Sequence, residues 1–218
     1  MVDWSAAATP KLGADSIWIA ALGRDRRTLR PVLLENLATR RDAAAVLRAL
    51  FIGSVARQER VLAGFDFPLG YPAGLAKRLG LSGEPWRAIW GEIAGLLVDT
   101  PDNRNNRFSV AADLNRRLTG EAYPFWSCPA GAAGSFLQPK HHRRHSADGF
   151  PEHRLVDRRM RGPQPGWKLA GTGSAGGKRS PVFPCSTDSV MIPHCAGRSR
   201  FGPSRPDLRH LRAEATLA

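Results

Sequence analysis

Two short apolar runs that end beside an aspartate constrain this chain more than any other feature. The first is Val2-Asp3-Trp4-Ser5, and the second is residues 61–67, which read VLAGFDF and contain Asp66. A turn rich in proline and glycine follows the second run, at residues 68–72. A buried strand that ends at an acid before such a turn is typical of α/β folds, which place functional carboxylates at the open edge of a sheet.

The segments between and after these runs complete an alternating pattern. Residues 16–22 read SIWIAAL and, with residues 28–34 across a charged turn, predict an antiparallel hairpin. Residues 39–58 carry apolar side chains at helical spacing and predict the first long helix. Further helices are predicted over residues 74–79, 84–97, 110–118 and 151–161.

The resulting order is strand, strand, strand, helix, strand, which is the order of the ribonuclease H-like fold. We therefore predict an α/β domain with a mixed sheet and flanking helices over residues 1–177. In that fold the first and fourth strands are neighbours, so Asp3 and Asp66 are expected to converge at one edge of the sheet. The last core strand is expected to be missing, because residues 178–218 show neither strand nor helix periodicity.

The net charge of +13 is unevenly spread along the chain. Residues 1–138 hold 17 Lys and Arg against 13 Asp and Glu, whereas residues 139–218 hold 15 against 6. Basic surfaces bind nucleic acid by releasing its counterions, so a nucleotide or nucleic-acid partner is one interpretation. The composition of residues 178–218 instead favours a disordered or aberrant basic tail, whose charge is a weak guide to partners.

The two strand-end acids are the candidate catalytic residues. Paired carboxylates hold divalent cations that activate water for phosphodiester cleavage, so Asp3 and Asp66 predict a site for Mg²⁺ or Mn²⁺. Glu152 and Asp157 are candidate further ligands, although their spacing of five does not align them on one helical face. The alternatives are that the first two acids satisfy loop amides and that the other two lie on a solvated helix face.

The candidates for binding an anionic substrate are polar residues in or beside the loops expected near that edge: Lys11, Asn106, Arg107 and Arg154. Forked or point contacts from such groups suit phosphate. The alternative is that they are ordinary surface residues. Seven aromatic residues are potential stacking surfaces for bases, but most lie in apolar runs and are expected in the core: Trp4, Trp18, Trp86, Trp90, Phe125, Trp126 and Trp167.

Several familiar sites are not supported. Residues 171–178 lack the first glycine of a Walker loop and have no strand before them. The histidines and the three cysteines show no recognised zinc or disulfide spacing. No run approaches the roughly 18 apolar residues of a membrane span, and no signal peptide is evident, so we expect a cytoplasmic protein without a membrane partner.

Seven segments together resemble one bacterial family. They are VDWS at 2–5, TPK at 9–11, DSIW at 15–18, GFDFPLGYP at 64–72, NRF at 106–108, PFW at 124–126 and PEHR at 151–154. Members of this family are commonly labelled molybdopterin-guanine-dinucleotide synthesis proteins and are similar to predicted nucleases with the ribonuclease H-like fold. The resemblance implies that Asp3 and Asp66 are the matching acids of the first and fourth strands, and the family has Glu where Asp157 stands.

The resemblance stops after Gly177, where the family continues with a helix and then a strand reading Trp-Pro-Phe-Glu-Thr. Permitted codons for Phe201–Pro206, read from the third base, encode that same pentapeptide. We therefore hypothesise that residues 178–218 are the product of a frameshift, which the coding DNA tests. A chain without that strand and its acid is expected to be inactive.

Two functions remain open from the sequence. The first is a metal-dependent, nuclease-like hydrolase of phosphodiester or nucleotide bonds. The alternative is a non-catalytic accessory protein that binds a nucleotide or the molybdopterin cofactor. The first predicts turnover that depends on Asp66, whereas the second predicts ligand binding without metal and without turnover.

Overall fold

The computed structural model describes residues 1–5, 7–67, 69–146 and 149–171. Within them it shows a mixed α/β fold with a three-stranded antiparallel sheet, four α-helices and two short 3₁₀ turns. None of the helices in these ranges is long and apolar enough to cross a membrane. The predictions for the glycine-rich loop beyond Gly171, the missing last strand and the basic tail at 178–218 all lie outside the described residues.

The three N-terminal strands are confirmed. They pair antiparallel in the order β1-β2-β3, with the bounds β1 (Val2–Asp3), β2 (Ile17–Asp25) and β3 (Thr28–Leu37). Side chains alternate between the two faces of a strand, and Ile17 and Ile19 are the buried ones at the start of β2. A β-bulge interrupts the β2–β3 register between Ala21 and Leu22.

The fourth strand predicted over residues 61–67 does not form as a strand. A single parallel bridge joins Val2 to Phe65, in which the Val2 N–H donates to the Gly64 carbonyl at 2.8 Å and the Asp66 N–H donates to the Val2 carbonyl at 3.1 Å. The ladder ends there because the next amide on this edge, the Trp4 N–H, donates to the Asp66 side chain and not to a backbone carbonyl. The parallel direction agrees with the prediction that these two segments lie side by side.

Helix α1 (Arg40–Ala56) covers one face of the sheet, as residues 39–58 predicted. It begins after Thr39, whose hydroxyl accepts the Asp42 N–H at 3.1 Å and so satisfies one of the first amides of the helix. The helix and the sheet enclose a group of buried hydrophobic residues that we call the sheet cluster: Val2, Trp4, Ile17, Ile19, Ala43, Leu47 and Phe67.

The other three helices belong to a second core, and all three were predicted. They are α2 (Leu75–Arg78), α3 (Pro85–Leu96) and α4 (Arg107–Thr119). The chain that follows α4 wraps around them and contributes buried aromatic side chains. We call this core the helical cluster: Leu75, Ala76, Ile89, Ile93, Leu97, Val110, Ala111, Leu114, Tyr123, Phe125, Cys128, Leu137, Phe150, Trp167 and Leu169.

The prediction of a helix over residues 151–161 is wrong. Only a 3₁₀ turn at Asp157–Arg159 forms there. Leu155 and Val156 are exposed, so the segment has no apolar face to bury, and a helix this short is unstable without one. Instead, the Trp167 indole N–H donates to the Pro151 carbonyl at 2.7 Å, which holds the segment as an irregular loop on the helical cluster.

Candidate functional site

The two candidate catalytic acids lie beside each other where β1 ends. Because Val2 pairs with Phe65 in a parallel bridge, the residues that follow them, Asp3 and Asp66, are neighbours across it. Paired backbones of this kind are about 4.8 Å apart, a separation over which two carboxylates can share one cation. Both aspartates are exposed, whereas Val2 is buried in the sheet cluster, so the acids lie on the opposite face of the sheet.

A backbone amide orients Asp66. The Trp4 N–H donates to Asp66 Oδ1 at 2.8 Å, and the Trp4 side chain is buried in the sheet cluster, which fixes the position of its amide. The alternative that Asp66 satisfies a loop amide therefore holds for this one oxygen. A hydrogen bond of this kind also restrains the carboxylate, which is what a ligand for a cation requires.

A buried ion pair that the sequence did not point to lies just beyond β1. The Arg40 guanidinium donates to both oxygens of Asp99, at 2.8 and 2.6 Å, and the two side chains are 2% and 6% exposed. Arg40 Nη1 also donates to the carbonyls of Ser5 and Ala7, at 3.4 and 2.7 Å. The ion pair therefore fixes the loop that follows the candidate acids.

Asn103 extends this buried network. Its Oδ1 accepts the Arg40 backbone N–H at 2.8 Å, and its Nδ2 donates to the carbonyls of Ala38 and Thr9 at 3.0 and 3.3 Å. Its own carbonyl accepts a hydrogen bond from Arg40 Nη2. Asn103 has a φ of 70°, in the left-handed region that asparagine tolerates better than most residues. Neither Arg40 nor Asn103 stands in a recognisable motif, so the sequence carries no signal for this network.

Two of the predicted anion-binding residues lie near the network. The Lys11 backbone N–H donates to the Ala38 carbonyl at 3.1 Å, and its ammonium group is 3.2 Å from the Asp15 carboxylate. The pKa of the half-buried Arg107 is lowered by burial and by the positive charge of Arg40, while Asp99 opposes this effect. Asp99 offsets the charge of Arg40, so Arg107 supplies the net positive charge here, which favours an anion.

Asn106 has a structural role in this arrangement. Its Oδ1 accepts the Val98 N–H at 2.7 Å, and its Nδ2 donates to the Leu96 carbonyl at 3.0 Å. These bonds satisfy backbone groups at the end of α3 and join that end to the start of α4. Its position beside Arg107 agrees with the predicted location, but its amide group serves the chain itself.

The remaining predicted site residues belong to the segment on the helical cluster. Arg154 donates from Nε and from its backbone N–H to Asp157 Oδ2, at 2.8 and 3.0 Å, and Asp157 is buried. Glu152 Oε2 lies 3.8 Å from His153 Nε2. Arg154 and Asp157 therefore pair with each other in a structural role. They lie on the helical cluster, apart from Asp3 and Asp66 at β1.

The donor set at β1 suits a hard divalent cation. Within the described ranges, no group of three or more His, Cys, Asp or Glu side chains is arranged to hold a metal ion. Mg²⁺ is often held by one or two carboxylates together with water and substrate phosphates, so Asp3 and Asp66 fit such an ion. Comparison with protein-family models, curated proteins and solved structures gives no significant match to this chain. The resemblance stated above therefore stays a prediction.

A separate open cleft of about 770 Å³ lies where α4 ends. It contains none of the predicted site residues, and its lining includes Glu121, Lys140 and His142. Glu121 pairs with Arg143 at 3.2 Å, and the carbonyl end of α4 adds negative potential to this mixed lining. The charges offset one another, so the cleft selects no particular ligand, and the acids at β1 remain the better candidate site.

Proposed function

We propose that this protein is a metal-dependent hydrolase of phosphodiester or nucleotide bonds, with Mg²⁺ or Mn²⁺ held by Asp3 and Asp66. The parallel bridge between Val2 and Phe65 supports this most, because Asp3 and Asp66 are the residues that follow the bridged pair. Their exposure allows a hydrated cation and a phosphate group to approach together. A cation bound there supplies Lewis-acid polarisation of a phosphoryl oxygen and lowers the pKa of coordinated water.

The residues of the chain divide this work between them. Asp3 and Asp66 bind and orient the cation, and the Trp4 amide restrains Asp66. Arg107 provides positive charge on the side of the buried Arg40, where it favours an approaching phosphate. Arg40 Nη1 donates to the carbonyls of Ser5 and Ala7 and so anchors these two residues beyond Asp3.

The test is hydrolysis of bis(p-nitrophenyl) phosphate and of fluorescent oligonucleotides by the full chain with Mn²⁺. The variant Asp66→Asn keeps an oxygen that accepts the Trp4 N–H but removes the charge, so it separates metal binding from loop structure. Glu84→Gln, at the exposed start of α3, is the matched control, because it neutralises a carboxylate that makes no hydrogen bond to the helix. We expect Mn²⁺-dependent turnover in the wild type and in the control, and background rates in Asp66→Asn.

Two outcomes would contradict the proposal. Turnover that persists in Asp66→Asn would overturn the assignment of this site. Stabilisation of the protein by a nucleotide without metal, together with no turnover of any phosphodiester, would favour the alternative of a non-catalytic nucleotide or molybdopterin-cofactor binding protein.

A further inference from the structure

The face of the sheet that carries the acids also carries an exposed tryptophan. Trp18 is the register partner of Asp3 in β1 and of Asn36 in β3. Residues directly opposite each other on neighbouring strands project from the same face, so Asn36, Trp18 and Asp3 form one row across the sheet, and Asp66 follows the bridge residue beside this row. Trp18 is 39% exposed, so it is an exception to the expectation that most tryptophans lie in the core.

Hydrogen bonds hold the Trp18 indole in place. Its N–H donates to the Gly13 carbonyl at 3.1 Å. Asn36 in turn fixes the loop that carries Gly13, since it accepts the Gly13 N–H at 2.8 Å and donates to Ser16 Oγ at 2.6 Å. The ring is thus held by a hydrogen bond at one edge and is exposed elsewhere. Because the Trp18 side chain is already ordered, it loses little conformational entropy when a planar ligand stacks on it.

The same ribbon ends in a cluster of positive charge. The β2–β3 turn and its flanks carry four exposed arginines: Arg24, Arg26, Arg27 and Arg30. No ion pair within the described part of the chain involves any of them. Between Trp18 and the turn, β2 exposes Leu22, and β3 exposes Leu34.

From this arrangement we infer that the face of β2 and β3 that no described element covers binds single-stranded nucleic acid, with a base stacked on Trp18 and phosphates against the turn arginines Arg24, Arg26 and Arg27. The inference rests on the proposed function and names a polymeric substrate for the same acid pair. Aromatic platforms combined with positive charge are how proteins hold single strands without reading their sequence. A duplex hides its base faces, so an exposed, tethered indole favours a single strand.

The length of the ribbon favours an oligonucleotide over a mononucleotide. Trp18 and Asp25 are seven positions apart in β2, which corresponds to about 24 Å along a strand. A stacked single strand rises about 3.4 Å per nucleotide, so this distance spans about seven nucleotides. A mononucleotide bound at Trp18 would not reach the turn arginines.

The first experiment measures the affinity of the full chain for labelled 12-nucleotide oligothymidylate and oligouridylate by fluorescence anisotropy in EDTA. We expect Trp18→Ala to bind about ten-fold more weakly and Trp18→Phe to retain most of the affinity. The matched control is Trp86→Ala. Trp86 is exposed like Trp18, and the guanidinium of Arg87 lies 5.3 Å from the centre of its ring. Equal affinity in Trp18→Ala and wild type would overturn the inference.

The second experiment separates the arginine cluster from net charge. The double variant Arg26→Ala/Arg27→Ala is expected to weaken binding and to lower the slope of log affinity against log salt by about 1.4, at about 0.7 for each phosphate contact on a single strand. Its charge-matched control, Arg158→Ala/Arg159→Ala, removes two exposed arginines from the 3₁₀ turn and is expected to leave both quantities nearly unchanged. An equal loss in the two double variants would overturn the inference, because only total charge would then matter.

A cross-linking measurement keeps the test decisive if Trp18→Ala does not fold. Ultraviolet cross-linking of the wild type to a 4-thiothymidine oligonucleotide should label residues 14–24. Labels found only elsewhere would mean that a second copy or residues 172–218 cover this face, and would overturn the inference. Binding without hydrolysis would leave the inference standing and contradict the proposed function, whereas hydrolysis with unchanged affinity in Trp18→Ala would do the reverse.

Discussion

The two cores of this protein differ in how completely they are enclosed. Among the described residues, the sheet cluster has seven buried hydrophobic side chains beneath α1, whereas the helical cluster has fifteen and is wrapped by the chain that follows α4. The candidate acids and Trp18 lie on the uncovered side of the first core. On the second core, Asp157 is buried and paired with Arg154. The half-covered region therefore offers groups to a ligand, while the enclosed region uses its charges for stability.

The Arg40–Asp99 ion pair joins the two regions, and breaking it should have the largest effect. Asp99→Ala leaves a buried guanidinium without its partner, so we expect the free energy of unfolding to fall by about 3–5 kcal/mol. The matched control is Glu59→Gln, which breaks the partly exposed Arg57–Glu59 pair and should cost less than about 1 kcal/mol. Urea unfolding of the full chain measures both, and a small, equal loss would contradict the joining role.

The two faces of the sheet should respond differently to the loss of a side chain. Ile19 is buried in the sheet cluster, so Ile19→Ala should lower the free energy of unfolding by about 2–5 kcal/mol. Leu34 is 68% exposed on the other face, so Leu34→Ala should change it by no more than about 0.5 kcal/mol. A large cost at Leu34 would show that this face is covered, against the comparison drawn above.

His145 gives the enclosed core a dependence on pH. Its ring stacks on Tyr123, with centroids 4.9 Å apart, and lies parallel to Trp167 at 6.1 Å. The pKa of His145 is lowered chiefly by burial, and the charges of His141 and His153 lower it further. The nearby Glu152 carboxylate opposes this shift.

The sign of the pH effect follows from this lowered pKa. Unfolding restores the ordinary histidine pKa of about 6.5, so the unfolded chain binds the proton first as the pH falls. The free energy of unfolding should therefore decrease from about pH 7 downward, until the folded protein also protonates His145. His145→Phe should reduce this decrease, and the exposed control His142→Phe should not. Unfolding curves at several pH values measure the difference, and identical pH profiles would contradict it.

The sequence predicted elements whose periodicity is local and missed contacts between distant residues. The N-terminal strands, α1, α3 and α4 follow from apolar spacing alone. The segment at Phe65 was predicted as a full strand because the sequence does not show that the Trp4 amide donates to the Asp66 side chain, where the ladder ends. The helix at 151–161 failed because the apolar residues there are exposed. Arg40 meets Asp99 across 59 positions, and no spacing rule connects them. The adjacency of Asp3 and Asp66 was predictable from strand order, while their chemistry stays a prediction.

Titration of the full chain with Mn²⁺, followed by electron paramagnetic resonance of the unbound ion, tests the central claim most directly. We predict saturable binding to the wild type and to Glu84→Gln, and loss of that site in the double variant Asp3→Asn/Asp66→Asn. Circular dichroism of the double variant provides the control for folding. Equal Mn²⁺ binding by a folded double variant would contradict the claim that these two carboxylates form a metal site.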